Sequence, residues 1–180
     1  MARKPQSTRK TDLSFKRQNG WLGLSTKDAR RLETFNQDYL SFISRAKTER
    51  EAHDLALAAA KAKGYRPLSD WRDKGAKLQA GDKVYHSVRG KVLVLVMVGD
   101  RPLAEGLRIV GAHMDSPRLD LKPRPLYEDG HMALLDTHYY GGVKKYQWVA
   151  IPLALHGVVA KRDGTVVPVV IGEDPGDPVF

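Results

Sequence analysis

A run of seven apolar residues, Val92–Leu93–Val94–Leu95–Val96–Met97–Val98, constrains this chain more than any other feature. It is far shorter than the roughly 20 residues of a membrane span. It also lacks the polar alternation of a strand with one wet face. It therefore predicts a strand buried on both faces, and so a sheet with cover on both sides. Gly99–Asp100–Arg101–Pro102 breaks the run. Residues 83–88 read as a preceding strand, joined to it by a turn at Arg89–Gly90, and residues 107–111 as a third, short strand.

Helical periodicity precedes these strands. Leu32, Phe35, Tyr39, Leu40, Phe42 and Ile43 recur at helical spacing over residues 28–43. Thr48–Glu49–Arg50–Glu51 is a capping box, in which the Thr hydroxyl and the Glu carboxylate each satisfy an orphan amide. It opens an Ala/Leu-rich helix running to Lys63, with Gly64 as its stop. Helices followed by apolar strands predict an α/β or α+β layer. From Lys122 the texture changes. Pro123 and Pro125 punctuate the exit from the third strand. Strands at 150–160 and 165–171 flank the hairpin signal Arg162–Asp163–Gly164, so this region reads as all-β. Residues 172–180 contain two prolines and three acids and no closing element, which predicts a chain cut before a following element.

Charge narrows the function. The net charge is +9, of which residues 1–20 supply +5, so these residues read as a basic flexible tail. The tail has no interleaved aromatics and the body little excess charge, against a nucleic-acid binder. No membrane partner is expected. The N-terminus lacks the apolar stretch of a signal peptide, so a cytoplasmic location is the expectation. With no cysteine, disulfides, thiolate zinc sites and cysteine nucleophiles are excluded. Any metal must be held by His, Asp and Glu.

The sharpest candidate site is Gly111–Ala112–His113–Met114–Asp115–Ser116–Pro117, at the end of the third strand. Loops at strand ends carry ligand-binding groups in α/β sheets. On an extended segment His113 and Asp115 share a face. The imidazole can then bind a metal through one nitrogen while a carboxylate holds the other N–H. On spacing alone, a strand-end histidine in a polar turn is the favoured reading. The remaining candidates read as structural. His131 and His138, seven apart, need not converge. His156 reads as a core histidine in an apolar strand, and His53 and His86 have no partner at ligand spacing. Lys144 and Lys145 read as solvated, although they could face an acidic substrate. Glu128, Asp129, Glu173, Asp174 and Asp177 read as acids of Gly/Pro loops, and Asp129–Gly130 as a turn. Gly141–Gly142 reads either as a tight loop at a site rim or as a plain turn.

The segment from Gly111 to Pro123, containing His113, Asp115, Ser116, Pro117, Leu121 and Lys122, resembles the H-x-D-S-P…L-K signature of the zinc aminopeptidases related to aspartyl aminopeptidase and yeast vacuolar aminopeptidase I. Tyr140–Gly141–Gly142 followed by Trp148 resembles that family's Y-G-G…W segment. The helical opening that ends at Gly64–Tyr65–Arg66–Pro67–Leu68 fits its N-terminal half. Val149–Ala150–Ile151–Pro152–Leu153 after Trp148 resembles the bacterial branch of the family and leaves an aspartyl preference open. The resemblance spans residues 27–180.

The resemblance implies an α/β fold. Residues 21–120 would be the N-terminal part of a three-layer metallopeptidase domain, and residues 121–180 the start of an inserted, β-rich, all-β dimerisation domain. It implies a metal-dependent aminopeptidase acting on peptide substrates through a water activated by two divalent metal ions, zinc in the family. His113 would be a metal ligand and Asp115 the carboxylate that orients it. The family's other ligands and its general base lie later in its chains and have no matching position here. The chain alone is therefore expected to be inactive, with a homo-oligomer forming through the β-rich domain. The competing reading is a non-catalytic, self-associating interaction module.

Overall fold

The computed structural model describes residues 14, 15 and 17–180. Most of the basic tail assigned to residues 1–20 lies outside them. The chain divides into two units, residues 1–39 and 40–180, with the boundary inside the first helix.

That helix, α1 (Thr26–Arg45), starts where the Asp28 amide donates to the Ser25 hydroxyl. The second, α2 (Glu49–Ala62), begins at the expected capping box: the Glu51 amide donates to Thr48 Oγ1, and the Thr48 amide to Glu51 Oε2. It ends before Gly64, as expected. Ala52, Ala56 and Ala60, at four-residue spacing, form the stripe it turns inward, and Ala52 and Ala60 are buried. His53 beside them is 2% exposed, with Nδ1 on Asp54 and Nε2 on Ser87, which ties α2 to the sheet below.

That sheet has three strands in the order β1 (Arg66–Pro67), β2 (Lys83–Val88) and β3 (Val92–Met97). β1 is parallel to β2, and β2 is antiparallel to β3 through the turn at residues 89–91. β1 was not anticipated; residues 65–67 read only as an exit from the helix. A short helix, α3 (Ser69–Arg72), follows it. Val84 of β2 is the sheet's buried apolar residue.

Two expectations for this region fail. Residues 92–98 were expected to be buried on both faces. Instead β3 is an edge strand, with Val92, Val94, Leu95, Val96 and Met97 all exposed. One edge pairs with β2 and one face meets α2, but nothing among the described residues covers the rest. Residues 107–111, expected as a strand, are irregular; Ile109 and Val110 are 80% and 98% exposed. A strand needs a hydrogen-bonded neighbour, and the described residues offer none.

Two hairpins complete the chain. β4 (Arg118–Asp129) pairs antiparallel with β5 (Met132–Tyr140). Gly130 and His131, both at positive φ, make the two-residue turn that Asp129–Gly130 signalled. Pro123 and Pro125 do not end β4. The register shifts between Leu121 and Leu126, so residues 122–125 lie outside the ladder, where a missing N–H loses no pairing. After the short helix α4 (Lys145–Trp148), β6 (Leu155–Ala160) pairs with β7 (Val166–Ile171) around the expected turn. The strand foreseen from residue 150 begins only at Leu155. The fold is a mixed α/β arrangement.

Candidate functional site

His113 and Asp115 lie in the irregular segment immediately before β4. No strand places them on a common face; a side-chain-to-backbone contact between near neighbours brings them together. His113 Nδ1 lies 2.8 Å from the backbone carbonyl of Asp115 and 3.3 Å from Asp115 Oδ1. A carbonyl oxygen only accepts, so Nδ1 carries a hydrogen and the neutral ring keeps its lone pair on Nε2. The side chain is 83% exposed, so that lone pair is not sealed in a core. This is the tautomer and setting of a metal-ligating histidine, with the backbone carbonyl and carboxylate on the opposite nitrogen.

Asp115 is held in turn. The Tyr140 hydroxyl donates to Asp115 Oδ2 at 2.5 Å. That hydrogen bond is the main cause that holds the Asp115 carboxyl below the ordinary aspartate value, and it raises the Tyr140 phenol above its own. Arg118 stacks on the Tyr140 ring, 4.2 Å from its centroid, donates from Nε to Asp120 at 2.7 Å and lies 3.7 Å from Glu49 at the start of α2. Glu49 also accepts from Lys91 at 2.7 Å, which lowers its pKa. A chain of contacts thus runs from α2 through the first pair of the β4–β5 ladder, Arg118 opposite Tyr140, to the His113–Asp115 segment.

The other candidates fall elsewhere. His131 is in the β4–β5 turn and His138 near the far end of that ladder, opposite Asp120 and stacked on Tyr139; they do not converge. Lys145 lies over the Tyr139 ring at 4.3 Å. Gly141, at φ +74°, sits where a Cβ would touch Pro117, two residues after Asp115, whereas Gly142 faces open space. Asp177 accepts the Gly172 and Asp174 amides and folds its own loop. Two hollows, one at Pro67, Arg72 and Tyr85 and one at Leu126, Glu128 and His131, do not include the pair.

The reading of His156 as an apolar core histidine is corrected. Its Nδ1 is 2.7 Å from Glu51 Oε1 on α2, and its Nε2 is 2.9 Å from Glu173 Oε1. Desolvation pulls its pKa down, but the two carboxylates outweigh it and the net shift is upward. Two groups were therefore missed: the Tyr140 hydroxyl as a partner of Asp115, 25 positions away, and Glu51 as a partner of His156, 105 positions away. Tyr140 was visible only as part of a motif, and no spacing rule reaches Glu51. Among the described residues no group of three or more His, Asp or Glu side chains is arranged to hold a metal ion.

The sequence signature of Peptidase M18, described as aminopeptidase I zinc metalloprotease, matches residues 42–180. A probable M18 family aminopeptidase 1 from Clostridium acetobutylicum is 50% identical over 169 residues, covering 94% of this chain and 36% of its own length. One from Borreliella afzelii is 39% identical over 166 residues, covering 92% and 35%. Among solved structures, aminopeptidase I from Borrelia burgdorferi B31 superposes with a TM-score of 0.84 at 38% identity, over 91% of this chain and 39% of that one. An M18 aminopeptidase from Thermotoga maritima gives 0.80 at 42%, over 92% and 35%. This chain spans about a third of the length of the curated relatives it matches. With its sequence matched from residue 42 to its last residue and its fold shared with solved aminopeptidases, the chain belongs to the M18 family of aminopeptidase I zinc metalloproteases.

Proposed function

We propose that this chain is the N-terminal part of a metal-dependent aminopeptidase that removes N-terminal residues from peptides, and that it is inactive by itself. The observation that carries the reading is the His113 ring, exposed and held by Nδ1 on Asp115, which leaves Nε2 as a donor. The imidazole fits zinc, which takes nitrogen and oxygen ligands. When bound, a pair of such ions would polarise the scissile carbonyl and acidify a water. His113 contributes a neutral nitrogen donor, and Asp115 fixes its tautomer through its backbone carbonyl. Tyr140 keeps the Asp115 carboxylate ionised and in place.

The remaining donors and the general base belong to the part of the longer relatives that this chain does not span. Residues 21–120 are assigned to a three-layer peptidase domain. Residues 121–180, which hold most of the two hairpins together with the short helix α4 and so are not all-β as expected, are assigned to the start of a β-rich inserted domain through which copies associate. A cytoplasmic setting belongs to the same proposal; no helix among the described residues is long and apolar enough to cross a membrane.

A chimera tests this reading. The corresponding first third of the Clostridium acetobutylicum relative is replaced by this chain and assayed on aminoacyl p-nitroanilides. Turnover is expected for the chimera and none for the 180-residue chain. His113→Ala in the chimera is expected to abolish turnover and lower bound zinc. A folded, zinc-loaded chimera without turnover, or a His113→Ala chimera that keeps it, overturns the reading.

A further inference from the structure

We propose that Tyr140 is the positioning residue for the His113–Asp115 pair, with Arg118 holding Tyr140 in place. This inference rests on the assignment of that pair as the site, and it names the group that keeps the pair in register. The pair lies in an irregular segment in which neither residue has a ladder partner. A carboxylate in such a segment is free to rotate into water. Asp115 is instead held by both oxygens: Oδ2 accepts from Tyr140, and Oδ1 faces His113 Nδ1 at 3.3 Å. Tyr140 comes from regular structure, the last residue of β5, and pairs with Arg118, the first residue of β4.

Arg118 makes this end of the ladder rigid. Its guanidinium lies over the Tyr140 ring, 4.2 Å from the centroid, donates to Asp120 Oδ1 and faces Glu49 of α2. A stacked guanidinium with two anionic neighbours has little freedom, and the ring beneath it is fixed in turn. The end of the β4–β5 hairpin therefore holds Asp115, whose backbone carbonyl accepts from His113 Nδ1 and whose carboxylate lies beside it, and Asp115 in turn orients the imidazole. Placing a functional pair by groups on regular elements is how such sites are kept within productive tolerance.

The test reads the His113 ring by ¹⁵N NMR in the 180-residue chain, with no metal added. The native ring is expected to show mainly the Nδ1–H tautomer. Tyr140→Phe removes one oxygen and leaves the ring stack intact. It is expected to lower the ratio of Nδ1–H to Nε2–H by about threefold to tenfold, the worth of the Nδ1 hydrogen bond to the Asp115 carbonyl, which loosens once the Asp115 side chain loses its anchor. Asp115→Asn is expected to lower it as well, and the double variant no further than the larger single effect. An unchanged His113 ratio in folded Tyr140→Phe, or additive effects in the double variant, overturns the inference.

A second readout separates this inference from the functional reading. In the active chimera Tyr140→Phe is expected to lower kcat about tenfold with KM little changed. Turnover unaffected by Tyr140→Phe but abolished by His113→Ala defeats the positioning role alone. A chimera without turnover whose His113 ratio still responds to Tyr140 defeats the functional reading alone.

Discussion

Gly141 joins the two halves of the candidate site at the scale of single residues. It sits at φ +74°, and a Cβ there would meet Pro117 Cα at 3.4 Å. Gly141→Ala combines left-handed backbone strain with a contact against Pro117, two residues after Asp115. We expect a loss of about 1–3 kcal/mol, read as a lower thermal midpoint, together with a shifted His113 ring signal. A loss of stability with an unmoved His113 signal would separate the loop from the site. His113 and Asp115 were legible as candidates because a short motif carries its own residues. Their geometry was not, since the pair closes through a backbone carbonyl in an irregular segment and not across the face of a strand. Tyr140 as the partner of Asp115 was not legible, because the β4–β5 ladder and not the sequence separation sets that contact.

The elements carry two further predictions. The Thr48–Glu51 capping box satisfies amides at the start of α2, so Thr48→Ala should cost about 1 kcal/mol and reduce helical circular dichroism on heating. A variant as stable as the parent would show that tertiary contacts alone hold the end of α2. The second concerns His156, which bridges Glu51 of α2 and Glu173 beyond β7, with Thr48 also bonded to Glu51. The imidazole pKa is raised, so its contribution is complete below the unfolded histidine value and fades as pH climbs through the folded one. Desolvation opposes ionisation of Glu51, but the bonds to His156 and Thr48 prevail and lower its pKa. Its part is therefore complete above the unfolded glutamate value and fades as pH falls through the folded one. The bridge should stabilise most between those limits. In urea titrations across pH, His156→Ala should remove the decline on the alkaline side. An unchanged profile would mean that the bridge contributes nothing.

The molecule as a whole exposes apolar surface that an isolated domain would cover. Val92, Val94, Leu95, Val96 and Met97 of β3, with Ile109 and Val110, are all accessible. An edge strand of this kind is a template for pairing, and a large apolar patch marks an association surface. The 180-residue chain should therefore sediment with a weight that rises with concentration, and Leu95→Lys should reduce that rise. Concentration-independent sedimentation would rule this out. The run at residues 92–98 encoded strand character but not the cover on its second face. Elements built from near neighbours were readable without a structure: the capping box, the glycine stop after α2, and the turns at residues 89–91, 130–131 and 162–164. Each depends on hydrogen bonds spanning a few positions, so local sequence determines it. Tertiary structure alone decided the rest: that residues 107–111 find no strand partner, that β4 runs on past two prolines, and that Tyr140 and Glu51 reach Asp115 and His156. Those outcomes depend on which groups packing brings within hydrogen-bond reach, a property of three-dimensional distance that composition and periodicity do not record.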